Sequence, residues 1–279
     1  MEGAYTYGQT EKIVRRISGT RGIGAVRIRT RKTDSPLPMT ASKFGGLPYW
    51  TAGEEYPKDE DGNALTLLAQ INFADVPNLP DFPEKGLLQF FILADGSYGL
   101  DLEGTAQNYW RIVWREDADE SLALGADALH GMGISSAAET GDDGRDFPFS
   151  GEFSLSFEKT VSHPNRALSD YDGMVKAAAG ELGLPVLDEA GGAFDEDYTE
   201  ANEGAVFCED AQDGPLHQMG GYPFFTQDDV QEEGDVLLLQ IDSDEDITWG
   251  DNGIANFFIK RAALKNCDFS NARYNWDCY

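Results

Sequence analysis

Trp249-Gly250-Asp251-Asn252-Gly253 is the string in this chain whose residue types best suit a small binding site. Two glycines around an Asp-Asn pair make a tight turn, in which short polar side chains close on nearby backbone N–H groups. The same turn would set an aromatic wall, Trp249, beside the polar Asp251 and Asn252, a combination suited to a sugar or a cation. Gln240, an amide within an apolar run, completes this candidate ligand-binding set, because a buried amide must find partners. A purely structural turn is the competing reading of the same residues. No catalytic residue is assigned.

Other chemistries find little support. The run Asp242-Ser243-Asp244-Glu245-Asp246 invites a calcium-loop reading, but an EF-hand loop needs Gly at its sixth position and Glu at its twelfth. Those places hold Ile247 and Gly253. No metal site is expected there, only a solvated acidic turn with loose cation binding as the alternative. His130, His163 and His217 are scattered, without the pairing of a metal motif, and are expected at the surface or in turns. Cys208 stands beside Glu209 and Asp210, whose negative charge disfavours a thiolate. No nucleophile elbow, phosphate-binding loop or dinucleotide fingerprint occurs, so no cofactor is expected. Arg27, Arg29 and Arg31 alternate with Val26, Ile28 and Thr30. They form either an anion-binding stripe or a face that is solvated or docked on acidic residues.

The elements that would position these groups are mostly strands. LLAQI, LLQFFIL, VLLLQI and ANFFI are short apolar runs bounded by Gly, Pro, Asp and Asn, and YWRIVWR (109–115) and GEFSLSF (151–157) also suit strands. A helix is expected over 170–182, with Tyr171, Met174, Val175, Ala178, Ala179 and Leu182 on one face and Ser169 as its cap. A shorter one runs from Thr10 to Ile17. Residues 117–150 show little periodicity and read as a long excursion.

Three strings recur in order. Gly45-Gly46-Leu47-Pro48-Tyr49-Trp50 returns as Gly220-Gly221-Tyr222-Pro223-Phe224-Phe225, LLAQI (67–71) as LLLQI (237–241), and GLLQFFI (86–92) as GIANFFI (253–259). The offsets are 175, 170 and 167 residues, which points to internal duplication. The expected fold class is α+β, predominantly antiparallel β, with internally duplicated β-rich halves and few helices. The whole chain, 1–279, reads as a single domain of two pseudo-repeats, about 40–115 and 215–279, around an intervening segment 116–214. Gln70 and Gln240 occupy equivalent places and are expected to bond across the pseudo-symmetry axis.

The strings FGGLPYW (44–50), LTLLAQINFADVP (65–77), KGLLQFF (85–91), HQMGGYPFFTQ (217–227), WGDNGIANFFI (249–259) and DFSNARYNWDC (268–278) resemble the YwqG-like family of bacterial proteins. The resemblance spans nearly the whole chain beyond residue 40. It implies a mostly β, duplicated α+β fold in a cytoplasmic bacterial protein. It carries over no catalytic residue, and the family's association with polymorphic-toxin neighbourhoods implies an immunity or accessory role.

Charge bears most on partners. The chain of 279 residues has a net charge of −29. Residues 1–32 carry eight Lys/Arg against two Glu, whereas the 83 residues between Lys176 and Lys260 hold 21 Asp/Glu and no Lys or Arg. Such acidity repels nucleic acid and anionic membrane and steers association with a basic surface. The N-terminus lacks an apolar leader-like run, no stretch is long and apolar enough to span a bilayer, and three cysteines without a CxxC pair argue against a disulfide framework. The expectation is therefore a cytosolic, non-enzymatic binding protein with a basic protein partner, immunity-type toward a basic toxin. The alternative is a small-ligand-binding protein or enzyme with its site near the WGDNG turn. Oligomeric state is left open.

Overall fold

The computed structural model describes residues 4–101, 107–140, 146–188 and 217–279. Cys208 and the acidic residues between 189 and 216 lie outside the described residues.

The chain opens on helix α1 (Tyr7–Arg21), which buries Ile13, Val14 and Ile17 on one face. The Thr6 N–H donates to Gln9 Oε1 at 2.9 Å, a capping-box contact that starts the helix three residues before its first apolar position could suggest. Ten strands follow in one antiparallel sheet: β1 (Ile23–Lys32), β2 (Lys43–Gly45), β3 (Thr66–Asn72), β4 (Leu87–Ile92), β5 (Trp110–Arg115), β6 (Glu152–Ser162), β7 (Gln218–Gly220), β8 (Asp235–Asp242), β9 (Ile254–Lys260) and β10 (Arg273–Asp277). Their order across the sheet is β10-β9-β8-β7-β1-β6-β2-β3-β4-β5. The architecture is thus the β-rich α+β class the sequence implied. Four further short helices complete the described elements: α2 (Ala126–Gly131), α3 (Ala137–Thr140), α4 (Tyr171–Glu181) and α5 (Arg261–Lys265). No helix among the described residues is long and apolar enough to cross a membrane.

The sheet curls until its ends meet. Phe90 of β4 lies 4.9 Å from Phe257 of β9, and Trp110 of β5 lies 5.8 Å from Tyr274 of β10. The space inside the curl is the main core, filled by Val26, Ile28, Phe44, Ala69, Phe90, Phe153, Leu239 and Phe257 among others. Because side chains alternate along a strand, the intervening residues face outward, and they too are covered. Helices α1 and α4 close over Phe225, Leu237 and Phe258 at one end. At the other end Trp50, Tyr56, Leu129 and Ile134 close over Leu67 and Phe91.

Reading outward from the central β1–β6 pair, β2-β3-β4-β5 and β7-β8-β9-β10 match in detail. Gly45 and Gly46 have φ of 66° and 69°, and Gly220 and Gly221 have 65° and 77°. Register slips by one residue between Leu67 and Ala69 in β3, and between Leu237 and Leu239 in β8. Gln70 Oε1 accepts from the Tyr49 N–H at 3.0 Å, and Gln240 Oε1 accepts from the Phe224 N–H at 2.8 Å. These amides bond within their own ends of the sheet, not across the axis as expected. A bulge turns each side chain onto the local Gly-Gly-x-Pro loop, which offers unpaired backbone groups close by.

Other local expectations shift. The N-cap of α4 is Asp170 rather than Ser169, whose N–H goes to Asp229 at 2.9 Å. Residues 117–150 are not a bare excursion, since Leu129, Ile134, Ala137 and Phe149 are buried. Their helices are too short to show a period in sequence. Arg27 lies between β6 and β7 and is 3% exposed, so the stripe of Arg27, Arg29 and Arg31 begins buried and opens to solvent through Arg29 to Arg31.

Candidate functional site

The structure separates the residues singled out in sequence. Trp249 is fully buried, edge-on to Tyr98 at 5.5 Å and beside Trp276 at 6.3 Å. Asp251 and Asn252 are exposed, and Asn252 takes a φ of 60° to make the turn. The glycines let the turn lie against the last strand. A Cβ on Gly253 would stand 1.9 Å from Asp277 O, and one on Gly250 would stand 2.9 Å from Cys278 Sγ. Gln240 is buried in β8. None of these four residues lines the clefts described below.

The acidic run is a closed turn. Asp244 Oδ1 accepts from the amides of Asp246 at 2.7 Å and Ile247 at 2.8 Å, and Oδ2 lies 3.1 Å from His217 Nε2. Burial pushes the Asp244 carboxyl up, and these hydrogen bonds outweigh it, holding it below the ordinary 3.8. His217 is fully buried, not at the surface as expected. The Asp242 N–H donates to its Nδ1 at 2.9 Å, which leaves Nε2 to carry the hydrogen toward Asp244. No group of His, Cys, Asp and Glu among the described residues could hold a metal ion.

The described clefts lie at the β2–β5 end of the sheet. One, of about 800 Å³, runs along the edge strand β5 beside residues 54–62. A second, of about 540 Å³, opens between Lys58 and Gly133. A third, of about 380 Å³, lies over β2 between the loop 33–39 and helices α2 and α3. It alone of the three joins apolar walls to a buried ion pair. Pro36, Leu37, Met39 and Leu47 form much of its lining, and Lys43 and Glu152 line it too.

Lys43 is the first residue of β2, opposite Ser154 of β6 and Gln70 of β3, on the face turned away from the main core. Its side chain is 1% exposed and that of Glu152 is 13% exposed, with Nζ 3.0 Å from Oε1. Glu152 also accepts from the Leu37 N–H at 2.9 Å, which ties the cleft's loop to β6. The carboxylate sits over Gly46, where a Cβ would stand 2.2 Å from Oε1. That position therefore needs glycine twice, for its positive φ and for room. Burial pushes the Lys43 pKa below the ordinary 10.5, against the pull of Glu152 and of Glu120 further off.

Two more acids hold segments that line the cleft. Glu120 accepts from the amides of Met39 and Thr40, each at 2.8 Å, and shapes the loop that carries Met39. Glu139 accepts from Ser136 N and Oγ at 2.7 Å and lies 3.1 Å from His130 Nε2. Burial pushes the Glu139 carboxyl up, and Ser136 and His130 together outweigh it. The floor therefore holds a buried pair of opposite charges, while the walls suit an apolar body.

Sequence reasoning passed over Lys43, Glu152 and Glu139, and read His130 only as a surface or turn residue. Lys43 and Glu152 are 109 residues apart and no local spacing links them. A signal did exist in the recurring strings. Lys43-Phe44-Gly45-Gly46 answers Gln218-Met219-Gly220-Gly221, so the one lysine in the pair of matched turns replaces a neutral amide.

Fold and cleft define a protein class: a curled antiparallel sheet that bears a lysine–glutamate cleft at one end. Over residues 42–278 the chain matches the family described as Domain of unknown function (DUF1963), and it belongs to that family. None of the curated proteins matches it.

Proposed function

We propose that this chain is a binding protein for a small organic molecule, and that the cleft over β2 is its site. One observation carries the reading. Lys43 is buried and charged-paired at a position where the matched turn at the other end of the sheet uses Gln218, whose Nε2 donates to Tyr222 O at 2.8 Å. Burying an ion pair costs several kcal/mol in desolvation and returns stability only with excellent geometry. A neutral side chain serves the fold at the equivalent place, so the charge is there for something the fold does not require. A thermal-shift screen of small metabolites against wild type and Lys43→Gln tests this. A true ligand at a hundredfold excess over Kd stabilises by about 2.7 kcal/mol, and the shift should vanish in the variant. A screen in which every hit shifts both proteins equally counts against the site.

The charge supports a second reading, an acidic face that meets a basic protein partner. The 83 residues between Lys176 and Lys260 hold 21 acids and no basic residue. Affinity purification from the native host at low and high salt, with no basic partner at either, would count against it. The matched turns, bulges and amides support descent of β2–β5 and β7–β10 from one duplicated unit. The strings FGGLPYW and WGDNGIANFFI support a place in the YwqG-like branch.

A further inference from the structure

We propose that the β2 cleft takes an amphipathic amine, an ammonium head on a short apolar chain, with the head held by the carboxylates of Asp34 and Glu139. This rests on the cleft being the ligand site and deepens that reading by naming the ligand's charge and shape.

The lining decides the charge. Asp34, Glu139 and Glu152 stand there against Lys43, three carboxylates to one ammonium, a net of −2 with His130 counted neutral at pH 7. Exposure sharpens the bias. The Lys43 side chain is 1% exposed and already engaged by Glu152, so an incoming molecule does not meet its charge. Glu139 is 46% exposed and Asp34 is exposed, and Asp34 makes no ion pair among the described residues. The charges within reach of a ligand are therefore negative. They attract an ammonium and repel a carboxylate or phosphate.

The walls decide the rest. Pro36, Leu37, Met39 and Leu47 lay apolar surface beside those acids, which suits an alkyl body and gives a bare metal cation nothing to match. At about 380 Å³ the cleft is near the lower end of the range for small-molecule sites, roughly 300–1,000 Å³, so it fits a short chain and not a long lipid tail.

The buried ion pair serves this site without touching the ligand. Lys43 fixes Glu152, and Glu152 accepts from the Leu37 N–H at 2.9 Å, so the loop that carries Asp34 and the apolar wall is fastened to β6. Glu139 is set on the facing wall by Ser136 N and Oγ, each at 2.7 Å. Both walls are thus built before a ligand arrives, which lowers the cost of ordering them on binding.

The test is calorimetric titration of the full chain with hexylamine, hexanol and hexanoate at pH 7. Salt of about 0.15 M screens the wider acidic surface beyond about 8 Å. Hexylamine should bind about tenfold tighter than hexanol, as two exposed ion pairs at about threefold each would give, and hexanoate should bind weakest. In D34N/E139Q the hexylamine affinity should fall to that of hexanol, with hexanol unchanged. Ala138→Trp, which fills the cleft from an exposed position on α3, should abolish both. Hexanol or hexanoate binding as tightly as hexylamine, and lost in Ala138→Trp, keeps the cleft and overturns the ammonium. A preference for hexylamine that persists in D34N/E139Q overturns the two carboxylates as its holders. Binding that survives Ala138→Trp, or no binding of any probe, overturns both readings.

Discussion

At one end of the sheet a turn rests on Lys43 and Glu152, and at the other the matching turn rests on Gln218 and Ser162. In the second, Gln218 Nε2 donates to Tyr222 O at 2.8 Å and the Tyr222 N–H returns to Ser162 Oγ at 2.9 Å. That network is neutral, local and complete. The first holds the same backbone with two opposite charges and leaves a cleft beside them. Both ends keep the glycine pair, the bulge and the buried glutamine, so those features belong to the scaffold. The ion pair and cleft are what the first end adds. The contrast teaches that, in a matched structure, the position where one copy carries a buried charge is the place to look for function.

The comparison can be strained at several points. The largest effect is expected for Glu152→Ala, which strands Lys43 in the interior. Breaking one partner of a buried pair costs about 3 kcal/mol even after the lysine sheds its proton, measurable by urea denaturation. At the other end, Ser162→Ala should lose only one neutral hydrogen bond, about 1 kcal/mol. Gly46→Ala and Gly221→Ala come next. Both force a non-glycine into positive φ against a neighbour, and each should cost about 2 kcal/mol. Only Gly46→Ala should also disturb the contact to Lys43, because its Cβ would displace the Glu152 carboxylate.

A smaller effect separates the two ends by pH. Asp244 is held below the ordinary 3.8 by amides and His217. A carboxylate depressed in the fold contributes stability above its unfolded pKa and loses it as pH falls through the folded value. Asp244→Asn should therefore lower stability at pH 7 by about 1–2 kcal/mol and flatten the acid limb below 3.8. The ligand-induced Tm rise at the β2 cleft should be unchanged, because Asp244 belongs to the other end. An altered rise would show that the ends are coupled.

Much of the scaffold was legible in sequence. The apolar runs became β3, β4, β8 and β9, and α4 buries the expected Tyr171, Met174, Val175, Ala178 and Ala179, while Leu182 falls past its end and is exposed. Periodicity and Gly-Pro punctuation report local backbone, and these elements are local. The cleft was not legible because its floor joins residues from β2 and β6, and its mouth is framed by short helices without a period. His217 looked like a turn residue because nothing nearby in sequence discloses that Phe44 packs against its ring at 5.7 Å. WGDNG drew attention for its composition, and its glycines answer to the backbone of the C-terminal strand.

The most direct measurement is the stability of the double variant K43Q/E152S, which gives the first end neutral side chains like those under the second turn. If the ion pair is surplus to the fold, its stability in urea should lie within about 1 kcal/mol of wild type, or above it, with the ligand-induced Tm rise lost. A double variant as unstable as Glu152→Ala would contradict the account, since the charges would then be holding the sheet together.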